Sequence, residues 1–307
     1  MITGRAVYYR YQAAADSGLA AVTVSEQGSE LARVELSGVR GGGMLALPLA
    51  PGEHRLSFAL TGSDGRTSTS ERALVMVPEP VHDRRLRATA LLVPLQAPVD
   101  SAAMTPDDDP RFADAVTRDG RFRLVDQRAE SVITETLGLV EAGYVDPATA
   151  AKLGRKLQSR YVVTGTLRRG RGDVECFVRL IHAESGREIA AADAYAPIAG
   201  GSRDAEFFAF VAARLRQIFP VLQGPLHPGS DVARLDLGER HGVVEGMRFH
   251  VVRRGEDLID AKSGEVLLPG EPRIESTVEA RRLEAQHSGC ALVGGAPVHA
   301  DEQAVSE

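Results

Sequence analysis

Up to residue 78 the chain alternates apolar and polar positions in short runs, at 7–11, 19–24, 31–36, 44–49, 56–60 and 73–77. A period of two sends one set of side chains to a core and the other to water, the signature of half-buried strands. Clusters of Gly, Ser, Asp and Pro separate the runs, so residues 1–79 read as a small β-sandwich. Residues 78–85 are polar and proline-bearing, which predicts a linker. The period then changes. A buried strand is expected over 86–95, a polar loop over 101–110, a short helix over 112–118 and a strand over 122–125. Val132, Ile133, Thr136, Leu137 and Val140 fall at helical spacing behind Asp126 as cap. Asp146-Pro147 starts a further helix, in which Ala150, Leu153 and Leu157 are the buried face.

Three alternating strands follow, to residue 195. In the second, Val174, Cys176, Val178 and Leu180 share one face, and Glu175 and Arg179 the other. Ser202 or Asp204 caps a last helix with Phe208, Val211, Leu215 and Ile218 along one side, stopped by Pro220. Strand, helix, strand, two helices, three strands and a helix make an α/β layer over 86–221. Residues 222–228 read as a second linker. Short strands punctuated by Gly238, Gly242, Gly246, Gly255 and Gly264 predict a small β-barrel over 229–294, and 295–307 a flexible tail. The fold class is therefore multi-domain α+β.

Composition narrows the function. A net charge of −6 argues against a general nucleic-acid binder. Two cysteines, Cys176 and Cys290, are too few and too far apart for a disulfide framework or a zinc site. No apolar run approaches the roughly 18–20 residues of a membrane helix. Lys152, Lys156 and Lys262 are the only lysines among 36 basic residues, an arginine bias typical of a GC-rich bacterial genome. The opening Met1-Ile-Thr-Gly-Arg is not a signal peptide, so the chain reads as cytoplasmic or as a mature fragment without its leader.

Gly41, Gly42 and Gly43 lack the Lys-Ser/Thr of a phosphate loop and read as a flexible turn. Asp107, Asp108 and Asp109 read as a solvated helix-start cluster rather than metal ligands. Arg168, Arg169 and Arg171 read as a solvated hairpin tip, and Cys176 as a core thiol with no His beside it. His241, His250 and His287 do not converge in sequence on a metal. No catalytic, cofactor-binding or metal-ligating residue is assigned, and no cofactor.

Three resemblances add to this. The run Leu49-Ala-Pro-Gly-Glu-His-Arg-Leu-Ser-Phe, followed by Thr61-Gly-Ser-Asp-Gly-Arg, resembles bacterial immunoglobulin-like modules. The second lies in the middle stretch: Gly120-Arg-Phe-Arg-Leu-Val-Asp, the helix over 133–143, Ala150-Ala-Lys-Leu-Gly, Tyr161-Val-Val-Thr-Gly-Thr-Leu and Val178-Arg-Leu-Ile-His-Ala-Glu-Ser-Gly. In that order they resemble the TolB amino-terminal-like α/β domain shared by the curli-secretion CsgG family and other bacterial envelope proteins. Val232-Ala-Arg-Leu-Asp-Leu-Gly, Gly242-Val-Val-Glu-Gly-Met-Arg-Phe-His-Val and Asp260-Ala-Lys-Ser-Gly-Glu-Val-Leu resemble the last domain of the flagellar assembly protein T family. There too a barrel follows a TolB-like domain, although that family begins with a different α/β domain. Turns at 168–173 and 183–187 leave no room for membrane-crossing hairpins with strands of about 9–11 residues, so no channel is expected.

The resemblance implies a non-enzymatic assembly or scaffold protein, periplasmic or outer-membrane-associated, with cytoplasmic placement left open. Envelope or outer-membrane-associated proteins would be its partners, and the middle domain a possible site of homo-oligomerisation through loops and its sheet edge. A regulator of a peptidoglycan synthase is an alternative within that class. From other classes, a soluble ligand-binding module or an enzyme of unrecognised site would show a deep pocket with converging polar groups.

Overall fold

The structure, a computed structural model, describes residues 2–3, 6–77, 84–98, 104–125, 159–170, 172–197, 204–229, 231–255, 258–259, 266–268, 272–300 and 302–307. The helices expected over 132–140 and 147–157 lie outside the described residues, as do Asp146 and Ser202. The chain divides into two compact units, Met1–Glu79 with Thr89–Ile218, and Pro80–Ala88 with Phe219–Glu307. The described residues are mostly strand, with two α-helices.

The first unit opens with β1 (Ile2–Thr3), β2 (Ala6–Ala14), β3 (Leu19–Glu26), β4 (Ser29–Glu35), β5 (Arg40–Pro48), β6 (Gly52–Gly62) and β7 (Thr67–Val77). Five strands form one sheet in the order β1-β7-β6-β3-β4, and β2 and β5 form a second. Val22, Val24, Leu56 and Met76 from the larger sheet share one core with Val7, Leu45, Leu47 and Leu49 from the smaller sheet and its margin. The β6–β7 hairpin turns at Asp64-Gly65, as its residue types predict, with Gly65 at a φ of +79° that side chains disfavour. Gly41, Gly42 and Gly43 are not a turn. They lie inside β5, opposite Ala13, Gln12 and Tyr11. A Cβ on Gly43 would stand 2.7 Å from the Tyr11 hydroxyl, so the missing side chain is room for the ring.

The same unit continues with β8 (Thr89–Leu92), α1 (Asp108–Asp119), β9 (Arg123–Leu124), β10 (Tyr161–Arg169), β11 (Asp173–His182), β12 (Glu188–Pro197) and α2 (Asp204–Ile218). The sheet order is β12-β11-β10-β8-β9. β10, β11 and β12 run antiparallel, while β8 is parallel to both β10 and β9. Val174, Cys176, Val178 and Leu180 are all fully buried, the face that alternation predicts. Helix α2 is buried more broadly than its predicted stripe, since Phe207, Phe210 and Ala212 join Phe208, Val211 and Leu215. The reason is a second neighbour. Phe208 meets Phe112 of α1, and Phe210 meets Tyr8 of β2, each pair with ring centres 6.0 Å apart.

The second unit holds β13 (Gln223–His227), β14 (Ala233–Leu235), β15 (Arg248–Arg254), β16 (Leu258–Ile259), β17 (Val266–Leu268), β18 (Pro272–Leu283), β19 (Ser288–Gly295) and β20 (Glu302–Ser306). Six of them close a barrel, β13-β14-β19-β18-β15-β20, around Leu226, Leu235, Phe249, Val251, Val278, Ala280, Cys290 and Ala304.

Two expectations are corrected here. Residues 222–228 are not a linker but contain β13. Pro225, which reads as a breaker, still pairs across to Gln303, and its carbonyl accepts the Asp236 amide at 3.1 Å. Nor is 295–307 a flexible tail, because β20 pairs with both β13 and β15 and closes the barrel. Its polar residues are buried with partners: Glu302 takes Arg253 at 3.0 Å, and the Ser306 hydroxyl accepts the Leu222 amide at 2.9 Å. Composition reads such residues as solvated; pairing inverts that.

Ending the chain at Asp301 removes both ladders of β20 and the burial of Ala304 and Val305. The loss is expected to exceed about 3 kcal/mol for the barrel. Denaturant unfolding of full and shortened chains checks this, and equal midpoints would show the strand to be dispensable.

Candidate functional site

Two strands cannot roof five. Across the large sheet the inward positions run from covered to bare: Val24 is fully buried, Phe58 beside it is half-buried, and Ser70 beyond Phe58 is exposed. Val22, Leu60 and Ser68 repeat the gradient one pair along. The strip left open is a groove of about 340 Å³, bounded on one side by residues 9–13 of β2 and floored by β6 and β7. Tyr9 stands on its wall with its ring edge against Phe58, centres 4.9 Å apart. Burial raises the Tyr9 phenol above its ordinary value, while the nearby Arg72 guanidinium pulls the other way.

Arg72 of β7 lines the groove at an inward position, and no carboxylate is among its lining residues. On the outer face of β2, the Arg10 guanidinium lies 4.9 Å from the Tyr195 ring of β12. Among the described residues β2 pairs with β5 alone, and β7 meets β1 only at Met76 and Val77. Among the described residues, then, no further strand is laddered to β2 or β7 along the groove. Aromatic edges, hydroxyls and guanidinium groups without a nucleophile–base pair equip such a site for non-covalent binding.

Sequence reasoning missed this site. Only 73–77 reads as strand from its apolar residues, yet β7 begins at Thr67. The signal was present in Ser68, Ser70 and Arg72, which are polar at the inward positions of a strand whose far end carries Leu74 and Met76.

The weighed residues stand apart from one another. Asp107 is exposed, but Asp108 is fully buried, so the cluster is only partly solvated. Arg169 of β10 grips Asp108 through Nη2 at 2.5 Å and Nε at 3.2 Å. Burial alone would raise the Asp108 carboxyl, yet the Arg169 guanidinium and the Thr105 amide together hold it below its ordinary 3.8. Asp109 accepts the Leu95 amide at 2.7 Å, and burial raises it. Of the arginines at the β10–β11 turn, Arg168 is exposed as expected and pairs with Glu175, Arg169 is corrected because it turns inward, and Arg171 lies outside the described residues. Burial pushes Cys176 up to about 12, the state of an inert core thiol. His241 accepts the Gly238 amide, His287 lies 3.1 Å from Glu284, and His250 donates to the Leu86 carbonyl. Among the described residues no group of three His, Cys, Asp or Glu is placed to hold a metal ion, and no helix is long and apolar enough to cross a membrane.

No protein-family model matches the chain, and no curated protein matches it. Solved structures do. The LpoB C-terminal domain from Salmonella enterica is 15% identical, with 36% of this chain and 82% of that one covered at a TM-score of 0.31. Lipoprotein GNA1162 from Neisseria meningitidis is 20% identical, over 43% and 97%, at 0.32. TolB from Acinetobacter baumannii is 13% identical, over 69% and 50%, at 0.29. Each is a partial likeness at low identity.

Two outcomes are expected from this geometry. Leu47, fully buried under the closed part of the sandwich, should cost about 3 kcal/mol or more as Leu47→Ala. Tyr9→Ala, at the open side, should cost under about 1.5 kcal/mol, because part of the ring already meets water. Urea unfolding of both variants measures the contrast.

The second concerns Asp108. A carboxyl whose folded pKa is depressed adds stability above its unfolded value and loses it as pH falls through the folded one. Asp108→Asn should therefore cost about 2–4 kcal/mol at pH 7, with the gap to the parent chain narrowing below about pH 4. A gap that is constant from pH 7 to pH 2.5 would mean the pair contributes no charge-linked stability.

Proposed function

We propose that this chain is a non-enzymatic assembly or scaffold protein of the bacterial cell envelope that works through protein–protein contacts. The groove beside β2 carries the reading: it is an open, aromatic-walled slot with Arg72 along it, and its lining residues include no nucleophile–base pair. The ionisable residues that drew attention in the sequence, Asp108, Arg168, Arg169 and Cys176, are held in structural pairs or buried in the core. The envelope setting is supported by the sequence resemblance to TolB amino-terminal-like and CsgG-family domains. The barrel-bearing segment that follows favours a secretion- or flagellar-assembly relative, placed in the periplasm or at the outer membrane. Partners would be envelope or outer-membrane-associated proteins, with self-association through the middle domain as a further contact. β12, one edge of the middle sheet, lies beside β5 of the sandwich, and its Tyr195 meets Arg10 of β2.

Photo-crosslinking from the full chain tests this. A photoreactive residue in place of Ser70 or Phe177, both exposed, should give light-dependent adducts of defined mass with envelope proteins or with a second copy. The same group in place of Arg281 on the barrel surface is the comparison. Absence of adducts at every position, with a purified chain that sediments as a monomer at all concentrations tested, would overturn the scaffold reading.

A further inference from the structure

We propose that His54 is a pH-sensitive latch of the sandwich. As an imidazolium it ties the end of β3 to the turn between β5 and β6, and loss of its proton releases that turn. The latch belongs to the sandwich alone and does not depend on the scaffold reading.

The period of two places the ring. Leu56 and Phe58 of β6 face the core, so His54, two residues before Leu56, faces the same way at the end of that core. Glu26 stands opposite Leu56 on β3 and continues the face that carries Val24. It is the last residue before Gln27 and Gly28, whose φ of +48° and +85° make the tight hairpin that fixes its position. From the smaller sheet, β5 ends at Pro48, and the chain passes through Leu49, Ala50 and Pro51 into β6. Leu49 is buried in the shared core and anchors this turn against the end of the sandwich. Nδ1 of His54 lies 2.8 Å from Glu26 Oε1, and Nε2 lies 2.7 Å from the Ala50 carbonyl oxygen. The His54 side chain is only 11% exposed, so water competes little for either contact.

Both partners accept. A carbonyl oxygen and an ionised carboxylate offer lone pairs and no proton, so each contact is a hydrogen bond only where the ring nitrogen carries one. A neutral imidazole has a single N–H; the imidazolium has two and satisfies both oxygens. When the ring loses a proton, the carboxylate is the stronger acceptor and keeps Nδ1–H. Nε2 then meets the Ala50 carbonyl lone pair to lone pair, and the turn lets go. In keeping with this, the bond to the Ala50 carbonyl raises His54 above its ordinary 6.5, and Glu26 adds to the rise while burial opposes it.

Among the described residues no second acid faces the ring. On β7, Leu74 lies opposite His54, and Arg72, further along the same face, gives its guanidinium to the Glu71 carbonyl at 3.0 Å. On β4, Ser29 lies opposite Glu26, and Glu30 is on the other face. Glu53 and Arg55 also point to the other face of β6, and the turn itself carries no charge. The joint matters because β5 pairs with β2, which bounds the groove, while β6 is part of its floor. Release therefore frees the two-stranded cover at one of its joints with the larger sheet.

Nuclear magnetic resonance of the full chain, labelled with ¹⁵N in histidine and ¹³C in alanine carbonyls, tests the latch from about pH 5 to pH 9. His54→Gln assigns the ring signals. The His54 midpoint is expected above 6.5, with both nitrogens protonated below it and only Nδ1 above it. The Ala50 carbonyl shift should move with that midpoint while Ala59, within β6, stays still. Glu26→Gln should lower the midpoint, and it identifies the same signals if His54→Gln fails to fold. A raised folded pKa adds stability that is fully present below the ordinary value and is lost as pH rises through the folded one. The gap in urea midpoint between the parent chain and His54→Gln should accordingly be wide near pH 5.5 and narrow near pH 8.5. A His54 midpoint at or below 6.5 would overturn the latch. So would an Ala50 carbonyl that ignores the titration, or a His54 midpoint unmoved by Glu26→Gln. A ring that merely plugs the end of the core predicts the same urea gap at both pH values.

Discussion

Strand spacing limits how much of a five-stranded sheet two strands can cover. Outer strand axes of the larger sheet lie about 19 Å apart, and those of its cover about 5 Å. The core therefore closes over β3 and part of β6, around Val22, Val24, Leu47 and Leu56, and opens toward β7. Much of the first unit follows from that mismatch. Tyr9 and Phe58 become half-buried walls rather than core. β7 carries Ser68, Ser70 and Arg72 where a covered strand would carry aliphatic residues. Gly43 leaves Tyr11 the space to lie back against β5 instead of filling the opening. The other face of β2 is occupied, since Tyr8 meets Phe210 of α2 and Arg10 stacks on Tyr195 of β12. One strand thus joins the sandwich to the middle sheet with one face and flanks the groove with the other.

The middle of the unit is held by ion pairs at both ends of α1. Asp108 at its start takes Arg169 of β10, and Asp119 at its end takes Arg216 of α2, with Nε–oxygen distances of 3.0 and 3.2 Å. Arg216 also donates to the Asp119 carbonyl at 2.6 Å, satisfying an acceptor that a helix end leaves over. Desolvating four charges costs much of what the pairs gain. Their effect is in geometry, because a helix clamped to a strand at one end and to a second helix at the other has little freedom to slide. The planar fork of arginine suits this use better than an ammonium would.

The barrel uses the same device. Glu279 is nearly fully buried, with Arg248 at 2.8 Å and Arg281 at 2.9 Å, and Glu302 takes Arg253 and the His299 amide. Closure abolishes the sheet edges, so β20 brings backbone hydrogen bonds on both sides and carries its carboxylate into a matched site. The arginine-rich composition thus serves structural pairing in both units.

Local physics was legible in the residues themselves. Period-two alternation marked the core of most strands, the Asp-Gly and Ser-Gly turns marked hairpins, and the buried face of β11 with Cys176 followed from alternation alone. These features depend on neighbours a few residues away, which the sequence displays. What the tertiary structure decided was which polar residues have partners and which apolar faces have covers. Asp108 and Glu302 look solvated in sequence and are buried, because the arginines that neutralise them arrive from strands about 60 and 50 positions distant. Gly41–Gly43 look like a turn and form a strand, because their pairing partners lie about 30 positions away in β2, whose Tyr11 ring takes the space beside Gly43. The groove belongs to this second kind. Its residues are ordinary one by one, and only the unequal number of strands in two facing sheets leaves them uncovered.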